Sequence, residues 1–227
     1  MIFADRTEAG RSLAERLLHL KDKAPVVLAL VRGGLPVGFE IAQALGAPLD
    51  IVLVRKIGVP DNPELAAGAV VDGQNPEIVI NAEIVTELGI PEAYIKSEAD
   101  RELVEIERRR KVYLGGRPRA PIAGATAIVV DDGIATGATT RAALHAIRRQ
   151  NPARLVLAVP VAPADTIAAL RVDADEIVCL SAPVTFGAIG FFYANFHQVS
   201  DEEVIDLLRR SQSPATGGTT ATGASAR

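Results

Sequence analysis

The sequence predicts an α/β protein built on an open, mainly parallel twisted sheet flanked by helices, carrying a small C-terminal hood and a flexible loop. Val26–Val31 and Ile128–Val130 are unbroken apolar runs, the pattern of strands buried on both faces. Residues 26–54 read as strand, helix, strand in about thirty residues, the size of a βαβ unit. These strands end in turns of small, basic or acidic residues that lead into the next element, and the carboxyl edge of such a sheet is where ligands bind.

Composition sets the outer limits. With 227 residues, 48% hydrophobic and 23% charged, the chain can bury a proper core in one large domain or two small ones. A net charge of −4 argues against general nucleic-acid binding. The longest apolar run, Ala24–Val31, is too short to span a membrane. Met1-Ile-Phe-Ala-Asp-Arg6 turns charged at once and does not read as a signal peptide. The single cysteine, Cys179, lies in an apolar run and reads as a core thiol in a reducing compartment. A cytoplasmic protein is expected, with a domain over residues 1–210 and a disordered Ser/Thr/Gly/Ala tail over 211–227.

In chain order, Asp5–Leu20 is a helix with Asp5 as its possible cap and Leu13, Leu17 and Leu20 on one face. Val26–Val31 is a strand, Val37–Leu45 a helix stopped by Gly46 and Pro48, and Asp50–Val54 a second strand ending in Arg55-Lys56. Residues 57–74 lose periodicity and read as a long loop, functional or mobile at that length, although Val70-Val71 and Ile78–Ile80 flank Asp72-Gly73 as in a short hairpin. Asn81–Leu88 and Glu92–Leu114 are helices, and the basic run Arg108–Lys111 suits the C-terminal end of the second. After a Pro/Gly-rich connector over 115–124, strands at Ile128–Val130, Arg154–Val159 and Glu176–Leu180 alternate with helices at Arg141–Arg148 and Ala164–Leu170. Residues 183–196 hold five of the nine aromatics in an otherwise aromatic-poor chain and form the hood. A last helix, Asp201–Arg210, has Ser200 as its cap.

The chemistry concentrates in Ala127-Ile-Val-Val-Asp-Asp-Gly-Ile-Ala-Thr-Gly-Ala-Thr-Thr140. An apolar strand delivers Asp131 and Asp132 to its carboxyl end, and a turn of small residues and hydroxyls then opens a helix. Small residues let the backbone approach a ligand, and the free N–H groups of a first helical turn favour an anion. Sugar hydroxyls would meet the carboxylates and a phosphate would meet Thr136–Thr139. A plain strand–turn–helix junction capped by Thr136 would explain the glycine and threonines. It would not explain two adjacent carboxylates, which repel unless a ligand or metal offsets them. No Gly-Lys-Ser/Thr of a P-loop follows, and the dinucleotide G-x-G-x-x-G is absent. A second anion-friendly turn, Val31-Arg-Gly-Gly-Leu-Pro-Val-Gly38, offers backbone N–H groups at Gly33 and Gly34 and the planar fork of Arg32.

The stretch of four apolar residues, two acids, two further residues and Ala-Thr-Gly-x-Thr resembles the PRPP-binding signature of the type I phosphoribosyltransferases. Together with Arg-Gly-Gly-x-Pro-Val-Gly and Arg-Lys-Ile-Gly-x-Pro-x-Asn-Pro-Glu-Leu-Ala, it is most similar to stand-alone bacterial members whose acceptor is unassigned. The resemblance runs from about Phe3 to Arg210. It implies a transferase, assisted by Mg2+, that moves the 5-phosphoribosyl group of PRPP to a nitrogenous acceptor with release of pyrophosphate. The alternative is a non-catalytic PRPP- or nucleotide-sensing regulator on the same fold.

By that resemblance, Asp131 and Asp132 hold the ribose hydroxyls, directly or through metal and water. Ala135, Thr136, Gly137, Ala138 and Thr139 take the 5′-phosphate. Arg32, Gly33, Gly34, Arg55 and Lys56 stabilise pyrophosphate, with Lys56 also counted as catalytic. Residues 57–74 occupy the place of the closing catalytic loop, from which Glu64 or Asp61 could act as general base. In the hood, Phe192 or Tyr193 could stack on a flat acceptor and Asn195 could read its edge. Ala135 stands where members acting on 6-oxopurines often carry an acid, which weakens that assignment. A homodimer is implied.

Overall fold

The computed structural model describes residues 1–73 and 76–212, apart from the side chains at positions 63 and 64. The expected tail lies almost wholly outside the described residues. A five-stranded parallel sheet forms the centre, in the order β2-β1-β6-β7-β8. Its strands are β1 (Pro25–Leu30), β2 (Leu49–Val52), β6 (Thr126–Val130), β7 (Arg154–Val161) and β8 (Glu176–Ser181). The open parallel sheet expected from sequence is therefore present.

Both faces of this sheet are covered, as the unbroken apolar runs require. Val27, Ala29, Ile128, Val130, Val156 and Ala158 point into one core. That core includes α1 (Arg6–Leu17), α2 (Gly34–Leu45), α4 (Glu92–Leu114) and α7 (Asp201–Arg210). The alternate residues Val26, Leu28, Leu30, Ala127, Val129, Leu155 and Leu157 point into a second core with α5 (Ala138–Arg148) and α6 (Ala164–Leu170). Period-two alternation thus feeds two apolar layers rather than one apolar and one wet face.

The expected caps are present. Asp5 accepts from the Glu8 N–H at 2.9 Å, Ser200 and Glu203 form a reciprocal capping box, and Gly46 ends α2 in the left-handed region at φ 64. Among the described residues, no helix is long and apolar enough to cross a membrane.

The segment expected as a long loop departs from the sequence reading. β2 stops at Val52, and the chain enters a second, antiparallel sheet of β3 (Val54–Val59), β4 (Asn62–Val71) and β5 (Glu77–Ile80). Residues 57–71 of the expected loop are therefore ribbon, turning at Pro60 and Asp61, with register shifts between Ile57 and Val59. Arg55 and Lys56 sit inside β3, opposite Val70 and Ala69, rather than at the end of a strand in the parallel sheet. Part of the ribbon escaped the period-two test because 67–71 is buried on both sides. Ile57, Ala67 and Val70 enter the first core, and Ala69 and Val71 the second. The short helix α3 (Ala82–Glu87) then leads to α4.

The docking of α2 onto the sheet depends on Gly34. A Cβ there would stand 2.6 Å from the Val130 carbonyl oxygen and 2.9 Å from Asp131 Cα, both backbone atoms that cannot rotate away. We expect Gly34→Ala to lower stability by about 1–3 kcal/mol in urea denaturation, the usual range for overpacking. A loss within error would mean that α2 shifts freely.

Candidate active site

β1 and β6 are neighbours in register, with Ala29 beside Val130, so the turns that follow them meet. The carboxylate of Asp132 lies against the backbone of Gly33: a Cβ on Gly33 would fall 2.2 Å from Asp132 Oδ2. Only glycine permits this approach. The glycine turn after β1 and the paired acids after β6 therefore meet at the carboxyl edge. The Val31–Arg32 peptide within the first turn is cis.

The α5 turn answers the question left open by sequence. Gly137, not Thr136, occupies the N-cap position, at φ 79, and makes no side-chain cap hydrogen bond. Glycine suits that backbone because φ is positive. Ala135, Thr136, Ala138 and Thr139 are exposed around it, whereas Thr140 is buried. An uncapped first turn leaves N–H groups and the positive end of the helix dipole available to an anion. The turn is braced from α6, where the Thr166 hydroxyl donates to the Ala135 carbonyl at 3.0 Å.

The two acids differ in environment. Asp132 is 8% exposed, and its Oδ2 accepts from Arg6 Nε at 2.7 Å. Asp131 is half-buried, and its Oδ1 accepts the Asp132 backbone N–H at 2.9 Å. Burial, and then the neighbouring Asp132 charge, raise the Asp131 pKa well above its ordinary value. A cation or hydroxyl donor at Asp131 would relieve both effects. The described residues hold no group of three or more metal-ligating acids, cysteines or histidines. Two carboxylates fit Mg2+, which binds through one or two of them and takes its remaining ligands from water and substrate phosphates.

Other expected residues are placed as follows. Arg32 is half-buried, and Nη1 reaches Asp201 Oδ1 at 3.4 Å. The Tyr113 hydroxyl donates to the same carboxylate oxygen at 2.6 Å, and burial, followed by that carboxylate, pushes the tyrosine up to about 12. Arg55 pairs with Glu102 of α4 at 2.5 Å, and Lys56 is exposed on β3. Asp61 lies exposed at the ribbon turn with φ 62, while the Glu64 side chain lies outside the described ones. In the basic run of α4, Arg108 and Arg109 both pair with Glu105.

The hood differs from expectation in one residue. Tyr193 is only 6% exposed, its ring lies against Phe3 and Phe196, and its hydroxyl donates to the Asp132 carbonyl at 2.5 Å. It is a structural tie rather than an open stacking face for an acceptor. Burial, then the Asp132 charge, raise its phenol well above the ordinary range. Phe192 is half-buried and stacked on Phe186 at 5.3 Å, whereas Asn195 is exposed. Asn195 and His197 line a cavity of about 530 Å³ that also borders Asp5, Arg6 and Pro36.

Sequence reasoning missed Arg6, 126 residues from its partner Asp132. A faint signal existed: Arg6 continues the apolar stripe of Ala9, Leu13 and Leu17 by one turn, and a charge on that stripe requires a buried partner.

The elevated Asp131 pKa has a stability consequence. A carboxyl raised in the fold contributes stability that is complete below its unfolded value, near 3.8, and lost as pH rises through the folded value. Without divalent cations, Asp131→Asn should therefore gain stability relative to the parent as pH rises from about 4 to 7. Urea denaturation at both pH values checks this, and a constant difference would count against the assigned environment.

Comparison with known proteins agrees with this geometry. A family model described as a phosphoribosyl transferase domain matches residues 4–194. Two curated Mycobacterium tuberculosis relatives, provisionally named phosphoribosyl transferases, are each 47% identical over 210 residues, or 92% of this chain. The chain spans about half the length of these relatives, 47% in each case. A crystal structure from Thermus thermophilus, at 43% identity, covers 92% of this chain and 99% of its own with a TM-score of 0.81. With the family model matching most of its length and the two acids and anion turns meeting at one sheet edge, the chain belongs to the phosphoribosyl transferase domain family.

Proposed function

We propose that the protein is a Mg2+-assisted phosphoribosyltransferase that binds PRPP across the carboxyl edge of the parallel sheet. It would transfer the 5-phosphoribosyl group to a ring nitrogen of a small heterocyclic acceptor, releasing pyrophosphate. One observation carries this: the uncapped α5 turn and the Asp131–Asp132 pair share an edge with the glycine turn that touches Asp132. A phosphate, a pair of ribose hydroxyls and a diphosphate need these three features, in that order.

The backbone N–H groups and hydroxyls of Thr136–Thr139 would bind the 5′-phosphate. Asp131 and Asp132 would accept from the ribose hydroxyls and favour positive charge as it develops on the sugar. The departing diphosphate would be met by the Gly33-Gly34 backbone and by Arg32, with Arg55 and Lys56 contributing from the ribbon. Such preorganised charge is the main catalytic resource when the leaving group is a phosphate. Held by Asp131 and Asp132, directly or through water, Mg2+ would add charge neutralisation at the pyrophosphate. The β3–β4 turn, with Asp61 and Glu64 near it, would help exclude water from an oxocarbenium-like sugar centre and supply any general base. Phe192 and Asn195 remain the hood residues offered to the acceptor. The proposed enzyme would be a cytoplasmic homodimer with small-molecule partners, and its acidic balance gives nucleic acid no role.

Isothermal calorimetry with Mg2+ and PRPP should show one site per chain, with binding lost in the Asp131→Asn, Asp132→Asn double variant. Absence of binding by the parent, or unchanged binding by the variant, would overturn the assignment. Pyrophosphate release should appear with at least one base from a panel of purines, pyrimidines and simple heterocycles. Binding of PRPP with silence across the panel would instead favour the sensing regulator.

A further inference from the structure

We infer that Arg6 is a positioning residue for the ribose site, acting through Asp132, and that the hood holds Arg6 in place to do so. This rests on the proposed PRPP reading. Asp132 is gripped from two directions by one connected assembly. On the side chain, Arg6 Nε donates to Oδ2 at 2.7 Å. On the backbone, the Tyr193 hydroxyl donates to the Asp132 carbonyl at 2.5 Å.

Both grips belong to the same unit. Arg6 Nη1 turns away from Asp132 and donates to the His197 carbonyl at 2.7 Å. The guanidinium lies 4.0 Å from the Phe196 ring centroid and 6.0 Å from that of Tyr193, which stack on each other at 5.0 Å. The strand segment entering α1 is tied to the hood by three backbone bonds. Phe3 N–H donates to Phe192 O at 2.8 Å, Ala194 N–H to Phe3 O at 2.8 Å, and Asn195 N–H to Ala4 O at 2.9 Å. The first residue of α1, the hood and the second acid of the motif therefore move as one body.

This arrangement has a chemical purpose. A carboxylate this buried needs a counter-charge fixed beside it. Arg6, with a side chain only 8% exposed, supplies that charge without competing solvent. Its single Nε contact sets the carboxylate plane against Gly33 and engages Oδ2, so that the acid meets the ribose in one orientation. A guanidinium is suited to bridging two acceptors at fixed angles in a way that a lysine ammonium is not. Arg6 has no expected role at the diphosphate, which lies across the glycine turn.

Calorimetry on the full chain separates the possibilities, using PRPP and ribose 5-phosphate with Mg2+, and inorganic pyrophosphate without it, as three probes. Arg6→Met should weaken PRPP and ribose 5-phosphate by about tenfold or more, as for loss of a charged hydrogen bond. Pyrophosphate affinity should stay within about twofold, a selectivity that general unfolding would not produce. Arg6→Lys, which retains the charge and loses the fork, should recover part of the loss and serves if Arg6→Met does not fold. Unchanged ribose 5-phosphate affinity in a folded variant, or equal weakening of all three probes, would overturn the inference alone. Failure of the parent to bind PRPP would overturn the underlying PRPP reading as well.

Discussion

Two adjacent carboxylates at the end of a buried strand impose the central constraint on this molecule. Burial and the neighbouring Asp132 disfavour the charge on Asp131, and the surrounding structure answers the two acids differently. Asp132 has a fixed partner in Arg6, while Asp131 keeps a raised pKa and with it an unmet preference for a cation or donor. One acid is satisfied within the protein, and under the proposed function the other is held for a ligand. Gly33 and Gly34 are part of the same solution, because any Cβ there would collide with the acids or with the strand that carries them.

The elements around that pair carry further groups suited to anions. The α5 dipole and its uncapped turn lie downstream in sequence, and the glycine turn of β1 lies alongside in space. Under the proposed function, the ribbon would contribute Arg55 and Lys56 from a second sheet. Arg32 and Arg55 are each paired with a carboxylate, Asp201 and Glu102.

Close homology and geometry lead to the same family by separate routes. The acceptor is a different matter. Tyr193 is committed to holding Asp132, so the hood offers fewer free aromatic faces than its composition suggests. Phe192, already stacked on Phe186, is a wall more than an open platform. Recognition of a base would then depend on edges and shape around Asn195 more than on a two-sided aromatic clamp.

Sequence alone determined the parallel sheet, the acids at its carboxyl edge and the small turns beside them. Each is a local property: unbroken apolar runs, a strand-to-helix junction, residues of low volume. Even the caps Asp5, Gly46 and Ser200 were legible, because capping acts over three or four residues. Tertiary structure decided what depends on distant partners. The stretch 67–71 of the ribbon hid from pattern analysis because both its faces are buried, which erases the alternation that marks a half-exposed strand. Arg55 and Lys56 belong to that ribbon because the parallel strand stops at Val52 and the chain enters the second sheet. The Arg6–Asp132 pair and the Tyr193 tie join residues far apart in the chain, and no periodicity records them. Their charges and hydroxyl acquire a role only when burial removes water as the alternative partner.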